Sequence, residues 1–364
     1  MSDNPLVRLG QLGQSPWYDF ITRELMASGE LARLIQEDGL LGMTSNPTIF
    51  EKAIAGSSDY DEDIRTLAQE GKSPAEIFEA LAVADVQAAC DAFTMVNLQT
   101  TGQDGLVSLE VSPTLAHDTA GTIAEAKRLW ASLQRPNAMI KSPGTVAGLP
   151  AIEACIAAGI NVNVTLLFSV ERHKAVINAY LNGLETRVGL GGQIDSIASV
   201  ASFFVSRVDT RIDPMLDAKG RKELRSRAAI ANARAAYLAF EEGFRGPRWE
   251  ALRAHGAKVQ RPLWASTSTK DPALPDVYYV EALIAPHTVN TLPPDTFRAY
   301  RDHGVPSPRI HDEDPSEVLE ALDAAGISMA EVTTFLEDDG VAKFAASYHS
   351  LLTGIEAKAT ALVS

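Results

Sequence analysis

Short strand-like runs alternate with longer helical periods along most of the chain, and this alternation limits the fold more than any single motif does. "SPWYDFI" (15–21), "LLGMTSN" (40–46), "DGLVSLEVS" (104–112), "NAMIKS" (137–142), "INVNVTLLF" (160–168), "SIASVASFFVSRVD" (196–209), "RPLWASTST" (261–269) and "HTVNTLP" (287–293) read as strands. Most lead into a helical stretch: "TRELMASGELARLIQEDG" (22–39) with Gly39 as its C-terminal cap, "TAGTIAEAKRLWASLQ" (119–134), "AGLPAIEACIAAG" (147–159), "SVERHKAVINAYLNGLE" (169–185) and "RKELRSRAAIANARAAYLAFEEGF" (221–244). Such alternation implies a parallel sheet covered by helices, either open and doubly wound or closed. A count of about eight strands favours the closed (β/α)8 barrel.

At 364 residues, 46% of them hydrophobic, the chain can bury the core of a large barrel. An acidic insert around "SSDYDEDI" (57–64) and a long helical run (73–99) precede the third strand, and a tail from about 315–364 reads as two or three helices. No Pro, Ser or Gly-rich linker separates that tail and no internal repeat is visible. The expectation is therefore one domain, 1–364, with an N-terminal insert and C-terminal helices packed on the barrel.

Parallel barrels build their sites at the C-terminal ends of the strands, where side chains from several strands converge on one axis. Asp19, Asn46, Glu110, Lys141, Asn163, Thr165, Ser202, Arg207 and Ser266 all stand at or just past the ends of strand runs. Within "AMIKSPGTVAGLP", apolar residues run straight into Lys141. Desolvation on both faces of a parallel strand would depress the amine's pKa and make it a nucleophile suited to a Schiff base; the alternative is an ordinary solvated rim lysine. "GMTSNPTIF" supplies Thr, Ser and Asn before a proline, and also reads as a helix start with a cap and Pro at the first position. Alternation along "INVNVTLLF" puts Asn161, Asn163 and Thr165 on one face, which is costly inside a barrel unless those groups are hydrogen-bonded. Arg207, Asp209, Arg211 and Asp213 form either a solvated charge cluster or a place for a phosphate.

The balance of 32 basic and 47 acidic residues gives a net charge of −15, and no basic run is interleaved with aromatics. Nucleic acid and anionic membranes are poor partners for such a surface, whereas a phosphorylated small molecule needs only a few locally convergent cations and N–H groups. Cys90 and Cys155 sit in Ala-rich segments and read as buried free thiols. No HExxH, CxxC, GxSxG or GxxxxGK[ST] pattern occurs, "HDEDP" at His311 reads as a loop and cap, and "GLGG" at Gly189 is a weak nucleotide signal. The N-terminal stretch has no apolar signal core and no run approaches the roughly 18 apolar residues of a membrane span, so the expected compartment is the cytoplasm.

Taken together, "TSNPTIF", "VSLEVSP", "MIKSPGTVAGLPAIEA", "INVNVTLLFS" and "SFFVSRVD" resemble, in order and spacing, the transaldolase family, most closely its longer bacterial form. The resemblance implies a class I aldolase-type barrel that moves a dihydroxyacetone unit from sedoheptulose 7-phosphate to glyceraldehyde 3-phosphate in the non-oxidative pentose phosphate pathway, with no cofactor and no metal. It implies Lys141 as the Schiff-base nucleophile, Glu110 and Thr165 as holders of a proton-shuttling water, and Asp19 as the base at the C4 hydroxyl. Asn46 and Asn163 would hold hydroxyl groups of the three-carbon fragment, with Arg207, Ser202 and Phe204 at the phosphate. Where shorter relatives carry a second arginine, "WASTSTKDP" offers Ser266, Ser268 and Lys270, with Lys270 as the substitute charge. Ser142 departs from the apolar residue expected after the lysine; facing the helical layer, its hydroxyl would need a partner. Dimers occur among such enzymes, which leaves a homo-oligomer open. Two other readings stand beside this one: a lyase that releases free dihydroxyacetone, as fructose-6-phosphate aldolases do, and a non-catalytic sugar-phosphate binder.

Overall fold

The computed structural model describes residues 4–363. Eight parallel strands close into a barrel in chain order: β1 Gln14–Asp19, β2 Gly42–Thr44, β3 Leu106–Glu110, β4 Ala138–Pro143, β5 Val162–Leu167, β6 Ser199–Phe204, β7 Arg261–Ala265 and β8 Thr288–Leu292, with β8 pairing back to β1. The expected (β/α)8 barrel is thus the fold. β2 opens on glycine for a steric reason. Gly42 stands opposite Trp17, and a Cβ there would lie 2.6 Å from the indole ring. Below the site the barrel is closed by a buried ion pair, Arg261 to Asp104 at 2.9 Å, whose carboxylate also accepts from Ser15 Oγ and Trp17 Nε1.

Several boundaries differ from the sequence reading, each for a local reason. The stretch 22–39 is two helices, Arg23–Ala27 and Glu30–Glu37, because Gly29 turns left-handed at φ 80 between them. The run 73–99 breaks at Phe93, which caps both Pro74–Ala92 and Thr94–Gln99. In 221–244 the helix begins only at Ala228, after a short 3-10 turn and a positive φ at Ser226. The largest correction concerns β6. It ends at Phe204, and Ser206 opens the helix Ser206–Ala218, so Arg207, Asp209, Arg211 and Asp213 lie on a helix and not on a strand end.

The tail forms two helices, Pro315–Ala324 and the 35-residue Met329–Val363. The long helix is tied to the insert: Thr48 Oγ1 donates to Ser347 Oγ at 2.8 Å, and Lys358 pairs with Asp61 at 2.6 Å. Insert and tail therefore hold each other over the C-terminal face of the barrel. Both cysteines are free and buried, and burial pushes the Cys90 thiol up to about 12 and that of Cys155 to about 11. Among the described residues no helix is long and apolar enough to cross a membrane.

The helix that carries Arg207 is anchored by Asp209, which accepts from Ala229 N at 2.8 Å and from the Tyr279 hydroxyl at 2.9 Å. Burial outweighs these donors and raises the Asp209 carboxyl to about 7. A carboxyl raised in the folded state lowers stability as pH climbs from its unfolded value, about 4, to its folded one, because the unfolded chain loses the proton first. Asp209→Asn is therefore expected to melt higher than the parent, with a gain that widens between about pH 4 and 7 and then levels off. Thermal melts followed by circular dichroism across that range check this; a difference that stays constant with pH would contradict it.

Candidate active site

Register brings the central pair together. Glu110 on β3 stands beside Lys141 on β4, which stands beside Asn163 on β5. Lys141 is 4% exposed; its Nζ donates to the Ser45 carbonyl at 3.0 Å and lies 3.1 Å from Glu110 Oε2. The Glu110 side chain is also 4% exposed, and apart from Lys141 neither of its oxygens has a partner among the described residues. Burial raises the Glu110 carboxyl above the ordinary range, against the attraction of Lys141. Such a pair can pass a proton from the amine to the carboxylate, which frees the lone pair that attacks a carbonyl.

Asp19, at the end of β1, accepts from Thr44 Oγ1 at 2.6 Å. Thr44 has one proton to give, so in its 2.6 Å contact with Thr291 the latter donates. Burial raises the Asp19 carboxyl, with Lys141, Thr44 and Arg207 pulling the other way. A carboxyl that burial makes more basic in this way is suited to taking and returning a proton.

A cavity of about 250 Å³ opens at the mouth of the barrel, and its wall includes Asp19, Asn46, Lys141, Thr165, Ser202 and Phe204 but not Glu110. Arg207, Ser266 and Lys270 complete it on the outer side. Arg207 Nη1 is buried with no hydrogen-bond partner among the described residues, and its guanidinium sits 5.1 Å from the Phe204 ring centre. Burial lowers the guanidinium's pKa, opposed by Asp339 and Asp19. An unpaired buried guanidinium at a cavity wall is a place for an oxyanion. Lys270 is exposed and donates to Ser268 Oγ at 2.8 Å, and Ser266 takes a positive φ of 56 at the end of β7, where its hydroxyl meets that of Ser206 at 3.0 Å.

β5 is irregular where it meets the cavity. Its register shifts between Val164 and Leu167, Leu166 adopts φ 60, and Thr165 is left buried with an unpartnered hydroxyl on the wall. A leucine in the left-handed region costs on the order of 1–3 kcal/mol and persists only where packing holds it. That packing includes the C-terminal helix: a Cβ on Gly340 would lie 3.0 Å from Leu166 Cδ2 and 3.8 Å from Arg207 Nη1. One turn on, the Phe344 ring lies 5.6 Å from Lys141 Nζ.

Not every expected residue reaches the cavity. Asn163 is fully buried beneath the wall, donating to Ser108 Oγ at 3.0 Å and accepting from Ser202 Oγ at 2.6 Å. Asn161 belongs to the bottom of the strand, where it serves the backbone of Pro136, Ala138 and Ala198. Asn46 does both things its sequence suggested: it caps the helix Pro47–Gly56 through Ile49 N, and it lines the cavity. Thr44, Thr291, Lys52 and Phe344 also form the wall and were not singled out from sequence. Thr44 and Thr291 end strand runs and could have been; Lys52 and Phe344 sit on helices and carry no comparable signal. Among the described residues no group of three or more His, Cys, Asp or Glu is placed to hold a metal ion.

The site is thus a lysine–carboxylate pair on adjacent barrel strands with Phe344 of the C-terminal helix close above the amine. The chain belongs to the transaldolase/fructose-6-phosphate aldolase family. The match to that family spans residues 16–355. A transaldolase of Acidothermus cellulolyticus is 50% identical over 357 residues, covering 97% of this chain and 96% of the relative. One from Parafrankia sp. is 51% identical over 357 residues, 96% of this chain and 97% of the relative, and one from Trichodesmium erythraeum is 47% identical over 373 residues, 98% of each. With about half its residues shared along nearly its whole length, the chain is a transaldolase-type transferase of that family.

Ser142 is the unresolved neighbour. Lys141 points inward, so strand parity sends Ser142 toward the helices, where it is 4% exposed and its hydroxyl has no partner among the described residues. A buried hydroxyl left unpaired costs about 1–3 kcal/mol. Ser142→Ala is accordingly expected to unfold at higher denaturant concentration than the parent while Lys141 stays reactive. Equal or lower stability in an equilibrium denaturation would show that the hydroxyl is satisfied in solution.

Proposed function

We propose that this barrel transfers a dihydroxyacetone unit between sugar phosphates through a Schiff base on Lys141. The observation that carries the reading is the buried Lys141 amine beside a carboxylate with no other partner. Transfer of its proton to Glu110 leaves the amine free to attack the C2 carbonyl of a ketose phosphate, giving a carbinolamine. Glu110 and Thr165 hold the water that carries protons while the carbinolamine hydroxyl leaves and the imine forms. Asp19 then takes the C4 hydroxyl proton; the C3–C4 bond breaks, its electrons pass into the iminium, and an aldose phosphate departs. The remaining enamine attacks the acceptor aldehyde and the steps run backward.

In this reading Asn46 orients hydroxyl groups of the three-carbon fragment from the wall, and Asn163 acts from beneath it by fixing Ser202. Arg207 binds the phosphate, with Phe204, Ser266 and Lys270 beside it. Phe344 completes the cavity from residues near the C-terminus, which supports treating the chain as one domain. The compartment we propose is the cytoplasm, where sugar phosphates occur and buried thiols stay reduced. A lyase that releases free dihydroxyacetone uses the same first half and differs only in how the enamine ends.

Borohydride reduction in the presence of fructose 6-phosphate is expected to abolish activity and leave a three-carbon adduct on the Lys141 peptide, read by mass spectrometry; an active enzyme with no adduct would sink the mechanism. Product formation is expected to require an acceptor aldose, and abundant dihydroxyacetone without one would favour the lyase. Arg207→Ala is expected to cost about 2–5 kcal/mol in kcat/KM, as for a charge buried against its partner. A loss below about 1 kcal/mol, the scale of a solvated pair, would remove Arg207 from the phosphate site.

A further inference from the structure

Glu110 lines a cavity that has so far been assigned no task. It does not line the axial cavity that holds the Lys141 and Arg207 side chains; it closes the inner end of a second one, of about 380 Å³, outside β3. This lateral cavity lies between the helices Pro74–Ala92 and Thr119–Leu133, under Tyr348 of the C-terminal helix. Its outer end reaches the surface at Glu76 and Arg128, whose side chains are 58% and 52% exposed. Phe50, Phe78 and Leu129 supply apolar walls. Midway stands Glu125, fixed by a 2.6 Å hydrogen bond from Ser112 N to its Oε1.

The two mouths differ in charge. The axial cavity carries Lys52, Arg207 and Lys270 against Asp19, which draws a phosphate in. The lateral cavity carries Glu76, Glu79 and Glu125 against Arg128 alone, and Arg128 is already paired with Glu79. Such a mouth repels sugar phosphates and admits neutral molecules. At its inner end the cavity touches Glu110, whose buried Oε1 has no donor among the described residues. Water is the neutral donor of the right size, and the cavity is roomy enough for several molecules at about 30 Å³ each.

We propose that the lateral cavity is a solvent channel through which water reaches and leaves Glu110 while a ketose phosphate occupies the axial cavity. The proposal rests on the Schiff-base reading. When the carbinolamine collapses, its C–O bond breaks, the nitrogen lone pair forms the C=N bond, and the hydroxyl leaves as water with a proton from Glu110. A substrate that runs from Lys141 to Arg207 obstructs the axial way out. The water departs past Glu110 toward Glu125 and the surface, and water for hydrolysis of the imine returns by the same route.

The test narrows the channel without touching the catalytic groups. Ala75→Trp lies at the exposed mouth, and Ala82→Leu fills space midway on the same helix. Each turn through the imine exchanges the ketose C2 oxygen with bulk water, so loss of a heavy-oxygen label from C2 of fructose 6-phosphate counts waters that escape. Borohydride trapping on Lys141 counts imines. In the parent the two counts are expected to keep pace; in either variant label loss per trapped imine is expected to fall about ten-fold, as trapped water returns to the carbon it left. The mouth variant tests the idea even if the interior one fails to fold. An unchanged ratio in a folded variant that still forms the imine overturns the channel, whereas absence of a trapped imine in the parent overturns the Schiff-base reading instead.

Discussion

Removing an amine and a carboxylate from water is expensive, and the Lys141–Glu110 pair at 3.1 Å is the feature around which the upper half of this barrel is arranged. A buried pair persists only if geometry is fixed and the remaining valences are met. Strand register fixes it, by setting Glu110 and Lys141 side by side on β3 and β4. The Ser45 carbonyl meets one more Lys141 proton, and Ser45 is itself held by its hydroxyl on the Ser108 carbonyl at 2.7 Å. Exclusion of solvent from above falls to Phe344, which requires the C-terminal helix to lie close. Gly340 permits that approach, and the insert holds the helix in place through Ser347 and Lys358. Segments that look like appendages in the sequence thus serve the pair in the barrel.

What could be read from sequence follows the same physics. Lys141, Glu110 and Thr165 were legible as candidates because each ends or nearly ends an apolar strand run, where a barrel gathers side chains from several strands, although a solvated rim residue reads the same way. Asn163 was legible as inward-facing, but period-2 alternation places a residue on a face and gives no depth along the barrel axis, so its position below the cavity was not. Arg207 was picked for its chemistry and misplaced in its element. "SFFVSRVD" continues to read as a strand because Val205 and Val208 favour extended backbone, and the turn at Val205 depends on the Ala265 carbonyl of a neighbouring strand far along the chain. Lys52 and Phe344 were invisible for a related reason: their approach to the site is a property of helix packing, which leaves no mark on local pattern.

Net charge shows the difference between whole and part. A chain at −15 repels anions at long range, yet within about one Debye length, near 8 Å, local groups decide what a cavity admits. Lys52, Arg207 and Lys270 are grouped at one opening, and three glutamates at the other. Arg207 is the more telling of the cations, because its Nη1 is buried with no hydrogen-bond partner among the described residues.

Ser142 shows which residue of β4 sets the strand's position. Strand parity allows one of Lys141 and Ser142 to face the axis and forces the other outward, and a one-residue slip would exchange them. With Lys141 outward, its ammonium would lose Glu110 and the Ser45 carbonyl and enter the helical layer; with Lys141 inward, the loss is one unpaired hydroxyl. An uncompensated buried charge costs several kcal/mol and an unpaired hydroxyl about 1–3, so the register follows the lysine. The same comparison explains why a polar residue is tolerated next to the nucleophile: its penalty is too small to move a strand that the charge pair has already placed.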